Sequence, residues 1–422
     1  MIQTEISKVT LLLFFLLQAN VLSTFGIANN KLAYLFLVLI ILLWCFVENK
    51  KNKIGETLVL VSFFLLLAVR FARGILPESI LYSTFFVIPS LITLTIPDKV
   101  TKKNIELFRF AFACSLIYIV VEVGMGMFEF VTKTHVLTWI DSVYETHLDK
   151  VQTRPVGLSG ASLTNSYIIT AFSFVVLQLP LRDKYKYSIW LFLFIGLVCF
   201  QGRMSILFSL LFLLFYLASQ TASRKLPVIV LIGVLAVIAV GIALFFMLGL
   251  GDRFKDMGDD SSALMRLQAL VFLANSGLDN LFWGMSLAKM KDVQESMGVT
   301  IIEISYLVHV LIFGFIFSTF FYGITMYNAY KNRKESNKFL TWVSIVLFFL
   351  LNTTSTGWSS GYYEVAMMML LFKLFSDKTA FYLIPHQYLD EEYVKKQKRR
   401  MFLRLVKASL LREKLKAKKS QE

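Results

Sequence analysis

Apolar residues fall in runs of about 17 to 25, the length a helix needs to cross a hydrocarbon layer roughly 30 Å thick, and short polar stretches separate the runs. The pattern predicts twelve spans near 9–27, 32–47, 54–72, 79–96, 107–128, 162–180, 187–201, 204–218, 227–249, 301–328, 339–356 and 363–385. The expected class is all-α, a polytopic bundle of about twelve transmembrane helices. The first run is read as a span rather than a signal peptide, because no small-residue cleavage site follows it.

Connectors 48–53, 97–104, 181–186, 223–225 and 331–338 are lysine-rich and alternate with connectors that are not. The positive-inside rule makes these cytoplasmic, along with both termini, so that 31 of the 43 Lys and Arg lie inside. Two outer connectors are long, 129–161 and 250–300. The second contains SSALMRLQALVFLAN, an apolar helix lying on or in the interface. Residues 1–386 form the transmembrane domain. The tail, 387–422, carries 12 Lys and Arg against 5 acids, interleaved with Leu403, Val406, Leu410 and Leu411. It reads as a basic amphipathic helix whose partner is the anionic lipid of the cytoplasmic leaflet.

Composition agrees with this layout: 57% of residues are hydrophobic and only 17% charged, against roughly 25% charged in soluble domains. The net charge of +15 sits in loop blocks and the tail, so it reports topology and not nucleic-acid binding. Cys45, Cys114 and Cys199 all lie in apolar runs, so no disulfide framework or thiolate site is implied.

The outer side holds as many arginines as lysines, six of each, whereas the inside holds 23 Lys and 8 Arg. A guanidinium matches phosphate oxygens and stays charged when desolvated. The outer set is Arg70, Arg73, Arg154, Arg203, Arg253 and Arg266. Head-group anchoring is the simpler reading of Arg70 and Arg73, near a span end. Arg154 and Arg203, each close to a span start, are the stronger candidates for an anionic ligand. Arg203 stands at the tip of a tight hairpin between two apolar runs.

TRPVGLSGASLTNSY (153–167) opens a span with Arg154, Gly157 and Asn165, a Pro-Gly turn followed by capping hydroxyls. IIEISYLVHVLIFGF (301–315) puts Glu303 at an outer mouth, on one face with Tyr306 and Gly314. His309 lies some 240° around the helix from Glu303, so the two form no dyad and His309 reads as a hydrogen-bonded bundle residue. The acids of GDRFKDMGDDSS (251–262) are mixed with bases and make a poor metal site. No GxxxxGK[ST], HExxH or CxxC occurs, which leaves nucleotide-driven transport and thiolate zinc chemistry without support.

RPVG....LTN (154–165), GRMSIL (202–207), MRLQALVFLANSGLDNLFWG (265–284) and EISYLVHVLIFGFIF (303–317), in this order, resemble the Wzy-type O-antigen and capsule repeat-unit polymerases, in the superfamily that also holds the O-antigen ligases. The resemblance implies a GT-C-like fold and glycosyl transfer at the outer face of the bacterial plasma membrane. Donor and acceptor would both be undecaprenyl-diphosphate-linked glycans, with a chain-length regulator as a further partner, and neither a metal nor a cofactor is required. Arg154, Arg203, Arg266 and Arg253 would hold the diphosphate, supported by Gly157, Asn165, Tyr306, His309 and Gly314. The ligases carry a histidine eleven residues before the matching glycine. Here that place is held by Glu303, which is therefore the expected general base, and this favours polymerase over ligase. The alternatives are an O-antigen ligase and a polysaccharide transporter or lipid-glycan flippase.

Overall fold

The computed structural model describes residues 2–18, 54–75, 88–97, 100–137, 155–160, 162–222, 271, 273, 275–296, 304–333, 337–353 and 363–419. Among these the chain is all-α, mostly helical and without a strand. The predicted spans 32–47 and 227–249 lie outside the described residues, as does most of the predicted interfacial helix.

Helix α1 (Ile2–Gln18) packs on α3 (Ile105–Thr132), whereas α2 (Ile54–Ala72) packs on the later helix Phe315–Arg333. At the centre stands α4 (Ser162–Gln178), against α5 (Asp183–Cys199) and α6 (Arg203–Ala222). It is buried on nearly every side, so its hydroxyls need internal partners. Ser166 and Thr170 bond the carbonyls of Ser162 and Ser166 at 2.8 and 2.7 Å, and Ser173 reaches Ser209 of α6 at 3.1 Å. Small residues allow helices to approach closely: at Gly126 of α3 a side chain would strike the Phe200 ring.

Among the described residues two helices, α3 and α6, are long and apolar enough to cross a membrane. The predicted span 54–72 has the same bounds as α2. Three other regions differ from the expectation. In the region of span 79–96, Ile88–Thr95 is a 3-10 helix; Pro89 lacks the N–H an α-ladder uses and Pro97 follows closely. Helix α12 (Tyr363–Leu374) stops short of 385 and is followed by α13 (Asp377–Leu383). The region of span 301–328 is two helices, α9 (Ser305–Phe313) and α10 (Phe315–Arg333), meeting at Gly314.

Between α6 and α9 come α7 (Leu278–Trp283) and α8 (Leu287–Ser296), and α11 (Lys338–Thr353) precedes α12. The tail is one helix, α14 (Glu391–Lys419). Its root is tied to the α4–α5 turn by Arg182 N–H to Tyr388 O (3.0 Å), Asp390 N–H to Pro180 O (3.0 Å) and an Arg182–Glu391 ion pair at 3.1 Å. Phe402 and Leu403 of the tail are exposed.

Candidate functional site

Two motif segments meet at one end of the bundle. Helix α5 closes with Phe200 and a left-handed Gln201, and α6 opens at once with Arg203. Ser162, the first residue of α4, donates to Phe200 O at 2.7 Å, and Gly202 lies so close to Ser166 that a side chain there would strike its hydroxyl. Arg203 is half-buried in the first turn of α6, where the free N–H groups and the helix dipole favour an anion. Two residues on, buried Ser205 Oγ has no hydrogen-bond partner among the described residues.

The segment 155–160 lies beside this turn. Gly157 has φ +56°, and a Cβ there would fall on Glu122 Oε1 and on Asn165 Nδ2. Asn165, fully buried, donates from Nδ2 to Val156 O at 2.6 Å. Beneath sit two carboxylates that the sequence analysis did not single out. Glu122 and Glu129 are seven residues apart, hence on one face of α3, and are 0% and 2% exposed. Glu129 accepts the N–H of Val136 (3.0 Å) on Oε1 and those of Val156 (2.8 Å) and Gly157 (3.0 Å) on Oε2. Glu122 Oε2 accepts Leu158 N–H at 3.1 Å, while its Oε1 has no partner among the described residues. The two glutamates thus occupy the backbone N–H groups of Val156, Gly157 and Leu158.

A second arrangement surrounds Gly314. A helix end leaves four carbonyls without helical partners, and three at the end of α9 are satisfied from outside regular helix. Val310 O accepts Gly314 N–H (2.9 Å), Leu311 O accepts Met285 N–H (2.7 Å), and Ile312 O accepts the Arg70 guanidinium, which also donates to Met285 O at 3.2 Å. Gly284 and Gly314 lie backbone to backbone: a Cβ on either would strike the Ile312 or Phe282 carbonyl. Arg70 is therefore not a head-group anchor as its position near a span end predicts. It is fully buried because two carbonyls at a helix break require its donors. Arg73 pairs with Asp279 of α7 at 2.7 Å. Across the break Tyr306 Oη meets Thr319 Oγ1 at 3.0 Å, and buried His309 Nδ1 meets Tyr322 Oη at 2.8 Å.

The structure thus brings Gly157 and Asn165 together, places Arg203 beside their segment, and sets Tyr306, His309 and Gly314 around one helix break. Glu303, Arg154, Arg253 and Arg266 lie outside the described residues; Glu303 immediately precedes Ile304, the N-cap of α9, and Arg154 immediately precedes Pro155. Among the described residues no group of three or more His, Cys, Asp or Glu could hold a metal ion. Glu122 and Glu129 carried a legible signal, acids on one face of an apolar helix, where charge is costly and so has a purpose. No family model, no curated protein and no solved structure matches the chain.

Proposed function

We propose that the chain is a multi-pass enzyme of the bacterial plasma membrane, a Wzy-type polymerase of undecaprenyl-diphosphate-linked repeat units, with about twelve spans and both termini cytoplasmic. The observation that carries this reading is the meeting of the Pro155–Gly160 segment, which follows Arg154, with the α5–α6 turn that presents Arg203. In this reading Arg154 and Arg203 offer forked donors to one diphosphate. The membrane setting is supported by α3 and α6 and by exposed apolar side chains such as Phe64, Leu65, Ile117, Val120 and Phe320, which a lipid environment would cover.

In the proposed reaction an acceptor-sugar hydroxyl attacks the anomeric carbon of the growing chain. The new C–O bond forms as the bond to the lipid diphosphate breaks, and the hydroxyl proton passes to Glu303. The arginines stabilise the charge developing on the departing diphosphate. The alternative of a transporter draws on the break at Gly314, since discontinuous helices offer free carbonyls to ions. Here Gly314, Met285 and Arg70 already occupy three of those carbonyls, which favours the enzyme. The test is Glu303→Gln, which keeps shape but removes the base: with protein inserted at the normal level, polymer is lost. Wild-type chain lengths from that variant would exclude Glu303 as the base.

A further inference from the structure

The tail leaves the bundle at an end rich in basic residues. Arg333, the last residue of α10, donates to Gln178 Oε1 at the end of α4 and to Phe375 O just after α12, both at 3.3 Å. Asn337, before α11, donates to Ser219 of α6 at 3.2 Å. Residues 181–186 and 331–333 therefore share one end of the bundle, and the Arg182 contacts root α14 there too. The first turn of α14 still belongs to the body: Tyr393 N–H is capped by Asp390 Oδ1 at 2.8 Å, and Tyr393 and Val394 pack on the core. Beyond them Lys395, Lys396, Lys398, Arg399 and Arg400 are all exposed, and none forms an ion pair with a described residue. Met401, Phe402, Leu403 and Val406 are exposed as well, Phe402 at 65%.

Helical spacing sets Lys395, Arg399, Phe402 and Val406 on one face, cations first and apolar side chains after. Lys395 and Arg399 stand four apart, as do Lys396 and Arg400, where like charges weaken a helix unless an outside anion offsets them. A face that is basic and apolar together matches the head-group region of a phospholipid leaflet, where phosphates lie above acyl chains. We infer that α14 docks on an anionic phospholipid surface through the face of Lys395, Arg399, Phe402 and Val406. The cations meet head-group phosphates and the two apolar side chains sink beneath them. Because Arg182, Asp390 and Tyr393 hold its root at the bundle end, the helix meets its own bilayer at high effective concentration. This role rests on the membrane setting proposed above and not on polymerase activity.

The experiment follows amide hydrogen exchange of residues 395–409 in the full chain, in nanodiscs of phosphatidylcholine alone and with about one-third phosphatidylglycerol. The segment should exchange about tenfold more slowly in the anionic discs, an effect that fades as salt is raised, while α4 exchanges alike in both. Lys395→Gln combined with Arg399→Gln should lose most of that protection. Lys396→Gln combined with Arg400→Gln removes the same charge from another face and should keep more than half of it. Glutamine is a good helix former, so these exposed changes leave the helix intact. Phe402→Ser should reduce the protection about threefold, by the loss of buried apolar area. Equal exchange in the two lipids, or equal losses in the two double variants, overturns the docked face and leaves the polymerase reading standing. Protection that appears only with two chains in one disc overturns it in favour of a second copy as the partner. A chain that does not enter nanodiscs at all overturns the membrane setting, and this role for α14 falls with it.

Discussion

Arg70→Met should destabilise the fold far more than its place near a helix end implies. The side chain is fully buried and donates from both terminal nitrogens to Met285 O and from one to Ile312 O. Methionine fills much of the same volume but donates nothing, so the two carbonyls lose these donors in a region from which water is excluded. Each unsatisfied carbonyl costs about 1–3 kcal/mol. Relief from burying a guanidinium offsets part of that, leaving a net loss of about 2–4 kcal/mol. The control is Arg73→Met, whose pair with Asp279 is solvent-accessible, the partner side chain being 74% exposed; such pairs contribute about 0–1 kcal/mol. Reversible denaturation of the solubilised full chain reads both variants. An Arg70→Met protein within about 0.5 kcal/mol of wild type, or one no less stable than Arg73→Met, would refute the assignment of Arg70 as the clamp of the break.

Gly284→Ala and Gly314→Ala should each lower stability and expression, because both glycines have positive φ and a carbonyl where Cβ would go. By contrast Gly124→Ala and Gly323→Ala, in helices with open space, should be neutral or stabilising by up to about 1 kcal/mol, as thermal unfolding of the four variants would reveal. Arg203→Lys keeps the charge but loses the fork, so polymer yield should fall sharply at normal protein level; near-normal polymer would reduce Arg203 to an interfacial anchor. Single cysteines at Lys133 and Lys289, both exposed, should react with an impermeant thiol reagent in intact cells, and one at Lys334 should not; the reverse pattern would invert the proposed orientation.

Hydropathy located most of the described helices because a long apolar run has few other ways to satisfy its backbone. Residues 54–72 were legible to the residue, and the hairpin at 200–203 followed from two apolar runs meeting at Gln201, Gly202 and Arg203. The break at Gly314 was not legible as a break, since Phe313 and Phe315 continue the apolar pattern and the cause is a distant backbone, Phe282–Gly284, lying against it. Arg70 illustrates the same limit: whether a terminal arginine faces lipid or carbonyls depends on a partner more than 200 positions away. Glu122 and Glu129 were overlooked for a different reason. A window that averages hydropathy absorbs two acids into a strongly apolar run, whereas their shared helical face marks them as a pair.

The glycan borne on lipid diphosphate in a strain lacking this chain tests the central claim most directly. The account predicts carriers loaded with a single repeat unit, with long chains restored by the wild-type chain and not by Glu303→Gln. Unchanged chain lengths in the deletion strain would contradict polymerase activity, and long chains accumulating unattached to their acceptor would identify a ligase instead.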